Sequence, residues 1–199
     1  MKFLVLSDIH GSFLDLERTL KTPESISCDR LIICGDYLNH GPRNSIPEGY
    51  DPKACAGILN SFKEKIISVR GNCDSEVDQM LLDFPVLESS ARIFIPHEKT
   101  SETESRSCVT GIFIHHGHLF SKEELIKGNT PGTVFIQGHT HIPVLEKEKG
   151  FLFFNPGSIS IPKTTAGKTF GTIDVKKDNL VFRLKNLDGR ILEELEFAR

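Results

Sequence analysis

The chain has 199 residues, enough for one domain with a good core and few for two full domains, so we predict a single domain over residues 1–199. Hydrophobic residues make up 38% and charged residues 26%, as in ordinary globular proteins. The formal net charge of −3 gives no overall positive field for nucleic acid, and no apolar run is long enough to span a bilayer.

Short apolar strands alternate with helices through the first part of the chain. Helical spacing of apolar residues follows Ser12, and Asp51-Pro52 has the residues of a helix start. The alternation predicts βαβ units and a parallel sheet. The predicted strands are 2–6, 30–34 and 66–69.

Strand-like runs dominate the second half, with one short helix predicted at about 121–127. Antiparallel pairing would join these strands into a second sheet packed on the first. The polar segment Glu98–Ser107 is predicted as a surface loop. The runs lie at about 92–95, 111–115, 133–137, 151–154, 170–175, 179–183 and 191–197.

Possible metal ligands follow the predicted strands in five short motifs. Because the carboxyl ends of parallel strands converge on one crevice, we expect these side chains to meet. Two Asp, one Asn and several His are the ligands of a two-metal hydrolytic site, which predicts a metal-dependent phosphoesterase. The motifs are Asp8-x-His10, Gly35-Asp36, Gly71-Asn72, His115-His116-Gly117-His118 and Gly138-His139-Thr140-His141.

The spacing within the motifs suits metal binding. Asp8 and His10 lie two residues apart, so both side chains leave the same side of an extended segment and can reach one metal ion. His139 and His141 have the same spacing. A carboxylate offers two oxygens, and Asp36 is therefore the natural bridge between two metal ions.

The ordered set of motifs resembles the calcineurin-like metallophosphoesterase superfamily from Met1 to Pro162. Three further segments are similar to the small bacterial YfcE-type phosphodiesterases of that superfamily. The resemblance implies an α/β fold, a four-layer αββα sandwich in which two mixed sheets are flanked by helices. The segments are Asn39–Asn44, Arg70–Glu76 and Asn155–Ser158.

The resemblance also implies two divalent metal ions, with Mn²⁺ favoured and Fe, Zn or Mg permitted. It prefers His116 over His115 as a ligand, because His115 would be the last strand residue and point the other way. His118 would lie near the site and, with Asp36 and Asn72, is predicted to be catalytic. The implied ligands are Asp8, His10 and His141 for the first metal, Asn72, His116 and His139 for the second, and Asp36 for both.

One position departs from the larger members of the superfamily. Where they have a His that contacts the phosphate and is the candidate proton donor to the leaving group, this chain has Cys73, a poor proton donor. His118 and His40 are the candidates for that role. Asn39, Arg43 and Cys73 are predicted to contact substrate, Arg43 by clamping a phosphate, although a solvated loop arginine is the alternative.

The leading hypothesis is a phosphodiesterase that hydrolyses a small or nucleotide-like phosphodiester with a hydroxide activated by two metal ions. The alternatives are a phosphomonoesterase, which the absent His weighs against, and a non-catalytic metal-binding scaffold, which the full ligand set weighs against. We expect no nucleic-acid platform, no membrane partner and a homo-oligomer to which Phe151–Phe154 could contribute. An odd number of cysteines, 5, without a secretion signal favours the cytoplasm.

Overall fold

The computed structural model describes residues 1–96 and 109–198, so the predicted loop Glu98–Ser107 and Cys108 lie outside the described residues. The strands are β1 Lys2–Leu6, β2 Arg30–Ile33, β3 Ile66–Ser68, β4 Ser90–Pro96, β5 Val109–His115, β6 Val134–Ile136, β7 Val144–Glu148, β8 Phe151–Asn155, β9 Thr169–Val175, β10 Asn179–Asn186 and β11 Ile191–Ala198. The helices are α1 Phe13–Leu20, α2 Pro23–Ser27, α3 Pro52–Asn60, α4 Glu76–Leu81 and α5 Lys122–Lys127.

The first sheet has six strands in the order β11-β10-β9-β1-β2-β3. Strands β1, β2 and β3 are parallel, which confirms the βαβ prediction, and α3 begins after Asp51, whose side chain accepts the Ala54 N–H. Strands β9, β10 and β11 pair antiparallel on the other side of β1. The prediction that the late strands would build the second sheet was therefore wrong for these three, of which β9 satisfies the backbone groups of β1 that β2 leaves open.

The second sheet has five strands in the order β4-β5-β6-β8-β7. Its centre is parallel, because β5 pairs with β6 and β6 with β8 in the same direction, so the antiparallel expectation holds only for β4 and β7 at the edges. Strand β7 was not predicted. Its sequence Val-Leu-Glu-Lys-Glu is mostly charged, as suits an edge strand.

Alternating side chains give the two sheets a shared core and an outer core on each side. In β1, Leu4 and Leu6 pack with residues of α1 and α3, whereas Phe3 and Val5 face the second sheet. The outer face of the second sheet carries a cluster of phenylalanines packed against Leu125 of α5. These four layers, helices, sheet, sheet and helix, confirm the predicted αββα sandwich.

The stretch Phe151–Phe154 is core and not surface. All four side chains are buried, with Phe151 and Phe153 in the outer cluster and Leu152 and Phe154 between the sheets. These buried side chains are therefore not an exposed surface for an oligomer interface, and the homo-oligomer stays a prediction. In residues 1–96 and 109–198, no helix has both the length and the apolar character needed to cross a membrane.

Candidate metal centre

The five ligand motifs meet because the strand-end loops are tied directly to one another. The Asp8 N–H donates to Gly35 O at 3.1 Å and the His10 N–H to Asp36 O at 2.9 Å, which joins the loops after β1 and β2. The two sheets are joined where the His139 N–H donates to the Asp8 carboxylate at 3.0 Å. Side chains that lie far apart in sequence thus share one edge of the sandwich.

Five predicted ligands have left-handed backbone conformations. A non-glycine residue with positive φ costs on the order of 1 kcal/mol, and such strain is concentrated at functional sites. The fold therefore holds these side chains in place against a local backbone preference. The residues and their φ angles are Asp8 at 53°, His10 at 49°, Asp36 at 58°, His139 at 68° and His141 at 59°.

The first group contains Asp8, His10 and His141, all buried. Asp8 Oδ1 lies 3.3 Å from His141 Nε2 and 3.8 Å from His10 Nε2, and the two Nε2 atoms are 3.3 Å apart. One carboxylate oxygen and two imidazole nitrogens therefore face a common point, as predicted for the first metal.

The second group is built around Asp36. Its Oδ2 lies 3.6 Å from His10 Nε2 and 3.5 Å from His116 Nε2, so this carboxylate stands between the two groups. Asn72 Oδ1 lies 3.1 Å from His116 Nε2, and the His139 ring centroid lies 5.1 Å from that of His116. The structure thus brings together the predicted second set of ligands, with Asp36 between this group and the first.

Three of the histidines direct Nε2 into the site, and this nitrogen offers a lone pair when the ring is neutral. A carbonyl oxygen can only accept, so each Nδ1 that contacts one carries the hydrogen, and Nε2 of the neutral ring is then an acceptor. Burial also lowers the pKa of His10, which favours its neutral form. The Nδ1 contacts are His10 to Asn39 O at 2.8 Å, His116 to Cys34 O at 2.6 Å and His141 to Ile161 O at 2.5 Å.

Histidine Nε2 atoms therefore converge with carboxylates, and a bound cation would interact favourably with both kinds of group. Asp8 Oδ1 is buried, and it has no hydrogen-bond partner among the residues that the structure describes. An unsatisfied buried carboxylate oxygen is costly unless a cation or a proton binds it. The mixed oxygen and nitrogen donors suit a first-row divalent metal ion. The residues present fit the metal centre predicted from sequence.

Protons would compete with metal at one of these nitrogens. Burial acts to lower the pKa of His116, but the hydrogen bond and the charge of Asp36 outweigh it and raise the pKa to about 9. The pKa of Asp36 is correspondingly lowered, despite its burial, by His116 and the Cys73 N–H. A metal ligand must be deprotonated, so binding at His116 would release a proton.

Asp74 connects two of the loops that carry predicted ligands. Its position in the Arg70–Glu76 run of the sequence did not predict this role. Its buried carboxylate accepts the N–H groups of Asp36 at 2.8 Å, Tyr37 at 2.8 Å and Gly71 at 2.6 Å. Burial and the nearby charge of Asp36 raise the pKa of Asp74 to about 7. One side chain thereby ties the loop after β2 to the loop after β3.

Residues at the end of β8 and in the loop after it make hydrogen bonds that position predicted ligands from other loops. The hydroxyls of Ser158 and Ser160 donate to the Asp8 carbonyl oxygen at 2.8 and 2.9 Å, which fixes the residue in its left-handed conformation. Asn155 Nδ2 donates to Gly138 O at 2.8 Å, just before His139. Serines after a strand carry no strong signal in sequence, so only the Asn-Pro-Gly-Ser resemblance pointed here.

We expect the double change Ser158→Ala and Ser160→Ala to weaken metal binding by about 10- to 100-fold, the usual effect of losing groups that orient ligands. Mn²⁺ titration calorimetry measures this directly. Thr165→Ala, an exposed position in the following loop, is the matched control. Unchanged affinity in the double variant would mean that Asp8 needs no such support.

Cys73 lies beside the metal ligands as a thiol. Its Sγ groups with His10 and Asp36 and accepts a hydrogen bond from Asn72 Nδ2 at 3.2 Å. Burial, and then the charge of Asp36, raise the pKa of Cys73 to about 12, so thiolate is scarce at neutral pH. The thiol can line the site but is a weak acid for a leaving group.

We therefore expect Cys73→Ala to retain a substantial fraction of activity, about one third or more, since it removes no charge and no strong proton donor. Steady-state hydrolysis of a chromogenic phosphodiester is the measurement. Cys55→Ala, in the buried face of α3, controls for the general effect of removing a thiol. Complete loss of turnover in Cys73→Ala alone would assign the thiol a chemical role.

The other three histidines considered from sequence, His118, His115 and His40, lie in different surroundings. His118 is exposed, with its ring centroid 5.3 Å from that of His116 and 6.1 Å from that of His139, so it borders the second group. His115 ends β5 and packs between Phe113 and Phe120 on the outer face, which confirms that it points away. The ring centroids of His40 and Tyr50 are 5.5 Å apart, and His40 is not among the residues that line the pocket beside the predicted ligands.

The metal groups open into a pocket of about 750 Å³. Asn39 and Arg43, the predicted substrate contacts, both line it, together with Cys73. Asn39 Oδ1 accepts the Gly41 N–H at 2.8 Å, so the side-chain NH₂ of Asn39 is the group left to donate to a ligand. Lys163, from the loop after β8, also lines the pocket and was not singled out from sequence.

A four-layer sandwich whose strand ends carry converging carboxylates and imidazoles is the fold of a metallophosphoesterase. A sequence profile described as the calcineurin-like phosphoesterase superfamily domain matches residues 1–178. The chain belongs to this superfamily.

Individual relatives agree in sequence and in structure. The chain is 44% identical over 174 residues to phosphodiesterase YfcE of Escherichia coli K12, covering 87% of this chain and 88% of the relative. The crystal structure of that phosphoesterase superposes with a TM-score of 0.85 at 41% identity over 98% of both chains. Vps29 of Chaetomium thermophilum superposes with a TM-score of 0.63 at 16% identity, covering 100% of this chain and 97% of that one, which shows a shared fold alone.

Proposed function

We propose that this protein is a metal-dependent phosphodiesterase acting on a small or nucleotide-like phosphodiester, with Mn²⁺ as the preferred metal. The observation that carries the proposal is the convergence of the Asp8 and Asp36 carboxylates with three imidazole Nε2 acceptors at the base of an open pocket. The 44% identity to a phosphodiesterase supports the reaction class.

Two divalent ions would supply a nucleophilic water of lowered pKa and stabilise negative charge on the phosphoryl oxygens. Asp8, His10 and His141 would hold one ion, and Asn72, His116 and His139 the other. Asp36 would contact both, since its Oδ2 lies within 3.6 Å of nitrogens from each group.

Residues around the ligands would orient the substrate and move protons. Arg43 and the Asn39 amide would bind phosphoryl oxygens from the wall of the pocket. His118, which is exposed beside the second group, would donate a proton to a leaving alkoxide. Because Cys73 stands where larger relatives have a His, diesters with good leaving groups are favoured over unactivated monoesters.

The test uses chelator-stripped protein, restored with Mn²⁺ and assayed with bis(p-nitrophenyl) phosphate and p-nitrophenyl phosphate side by side. We expect turnover only after metal is restored, and faster turnover of the diester. Faster turnover of the monoester would make the protein a phosphatase. Bound metal without turnover of either compound would favour the scaffold alternative.

A further inference from the structure

We propose that Lys163 recognises a second anionic group in the substrate, separate from the phosphate that is cleaved and that Arg43 would bind. The inference rests on the proposed function and adds a substrate class to it: a small hydrophilic phosphodiester whose remainder carries a carboxylate or a further phosphate. The composition of the pocket wall favours such a substrate.

The pocket has few features suited to a nucleobase. Its described lining contains no Phe, Tyr or Trp, and Pro42 and Cys73 are its main apolar side chains. Bases are generally held by stacking on aromatic rings and within apolar walls. The wall instead presents amides, a hydroxyl and two cations, so the part of the substrate next to the reacting phosphate should be polar and compact.

Lys163 is a cation beyond those that the scissile phosphate requires. Asp36 is the only carboxylate that lines the pocket within the described residues, and it is assigned to the metal ions. Arg43 and Lys163 are both exposed, and neither side chain has a hydrogen-bond or ion-pair partner in the described part of the chain. A phosphodiester carries one negative charge, which the metal ions and Arg43 would already face, so Lys163 is left to bind another anion.

Lys163 is not a freely placed surface lysine, because its backbone is fixed to a metal ligand. The Lys163 N–H donates to His141 O at 3.2 Å, and His141 Nδ1 donates to Ile161 O at 2.5 Å. Farther along the loop, Lys168 Nζ contacts both carboxylate oxygens of Asp15 at 2.7 and 2.8 Å. The loop is thus held at both ends, which places the backbone of its single pocket-lining lysine next to His141.

The test compares two ligands that share a three-carbon chain and one phosphate, glycerol 3-phosphate and 3-phosphoglycerate, which adds a carboxylate. Binding to the Mn²⁺-loaded protein is measured by calorimetry and as inhibition of chromogenic diester hydrolysis. We expect 3-phosphoglycerate to bind about three- to fivefold more tightly, the range for an exposed charge pair. Glycerol 1,3-bisphosphate, run in parallel, shows whether carboxylate or phosphate is the better second anion.

Variants assign the preference to the residue. Lys163→Gln should bring the affinity ratio close to one, Lys163→Arg should keep it, and Lys127→Gln on α5, away from the pocket, is the control. Equal affinities in the wild-type protein would overturn the inference, as would an equal loss for both ligands in Lys163→Gln, which would place the lysine on the common phosphate. Metal-dependent diester hydrolysis without the preference would leave the proposed function standing and remove only this inference.

Discussion

Asp36→Asn is expected to reduce phosphodiester hydrolysis by about a thousandfold or more. The substitution keeps the shape of the side chain and its acceptor for the Cys73 N–H, 2.8 Å from Oδ1, but removes the negative charge between His10 and His116. Charge stabilisation by metal ions is worth several kcal/mol in the transition state, and each 1.36 kcal/mol is about tenfold in rate. Loss of one shared ligand should weaken both ions together.

The measurements are kcat/KM for a chromogenic diester and the number of Mn²⁺ ions bound at saturation. Asp178→Asn, at an exposed carboxylate in the turn between β9 and β10, controls for the charge change. Circular dichroism establishes that the variant is folded. Activity within tenfold of wild type, with two ions still bound, would show that Asp36 is not the bridging ligand.

Gly138→Ala is expected to destabilise the protein by about 1–3 kcal/mol and to lower metal affinity at least tenfold. A Cβ at this position would overlap Ser7 Oγ and come within 2.8 Å of Asp8 Oδ2. The Ser7 hydroxyl donates to that same oxygen at 2.7 Å. The added methyl would therefore push the carboxylate of a predicted ligand out of place as well as overpack the junction of the two sheets.

Gly57→Ala provides the opposite result in the same chain. Gly57 is exposed within α3, and nothing lies within 4 Å of a Cβ built there, so alanine should stabilise the helix by roughly 0.5–1 kcal/mol. Urea unfolding of both variants, with and without Mn²⁺, separates the effects. A Gly138→Ala protein as stable as wild type and with full metal affinity would contradict the close approach of β6 and β1.

Much of the ligand set could be predicted because the chemistry and the position coincide in sequence. Asp8, Asp36 and His116 each lie within three residues of the end of an apolar strand, and the rule that parallel strand ends converge is independent of the rest of the fold. The predicted side chains do lie together in the structure, although their role as ligands stays a prediction. The parallel β1-β2-β3 unit was predictable for a similar reason, since strand and helix alternate locally.

The parts that escaped prediction depend on long-range contacts or weak local patterns. Nothing in the apolar run of β9 says that it pairs with β1 rather than with the second sheet. Helix α4 exposes Val77, Met80 and Leu81, so its apolar residues do not form the buried stripe that marks a helix. Ser158 acts through a hydroxyl that meets Asp8 across 150 positions of sequence, a contact that no local pattern encodes.

The left-handed ligand positions have an evolutionary consequence. Five such residues at roughly 1 kcal/mol each amount to about 5 kcal/mol, comparable with the whole net stability of some domains. In a lineage released from hydrolysis, a change to glycine at one of them would relieve that local strain but would also remove the hydrogen bonds of the side chain, as at Asp8 and Asp36, so each loss would trade strain against contacts.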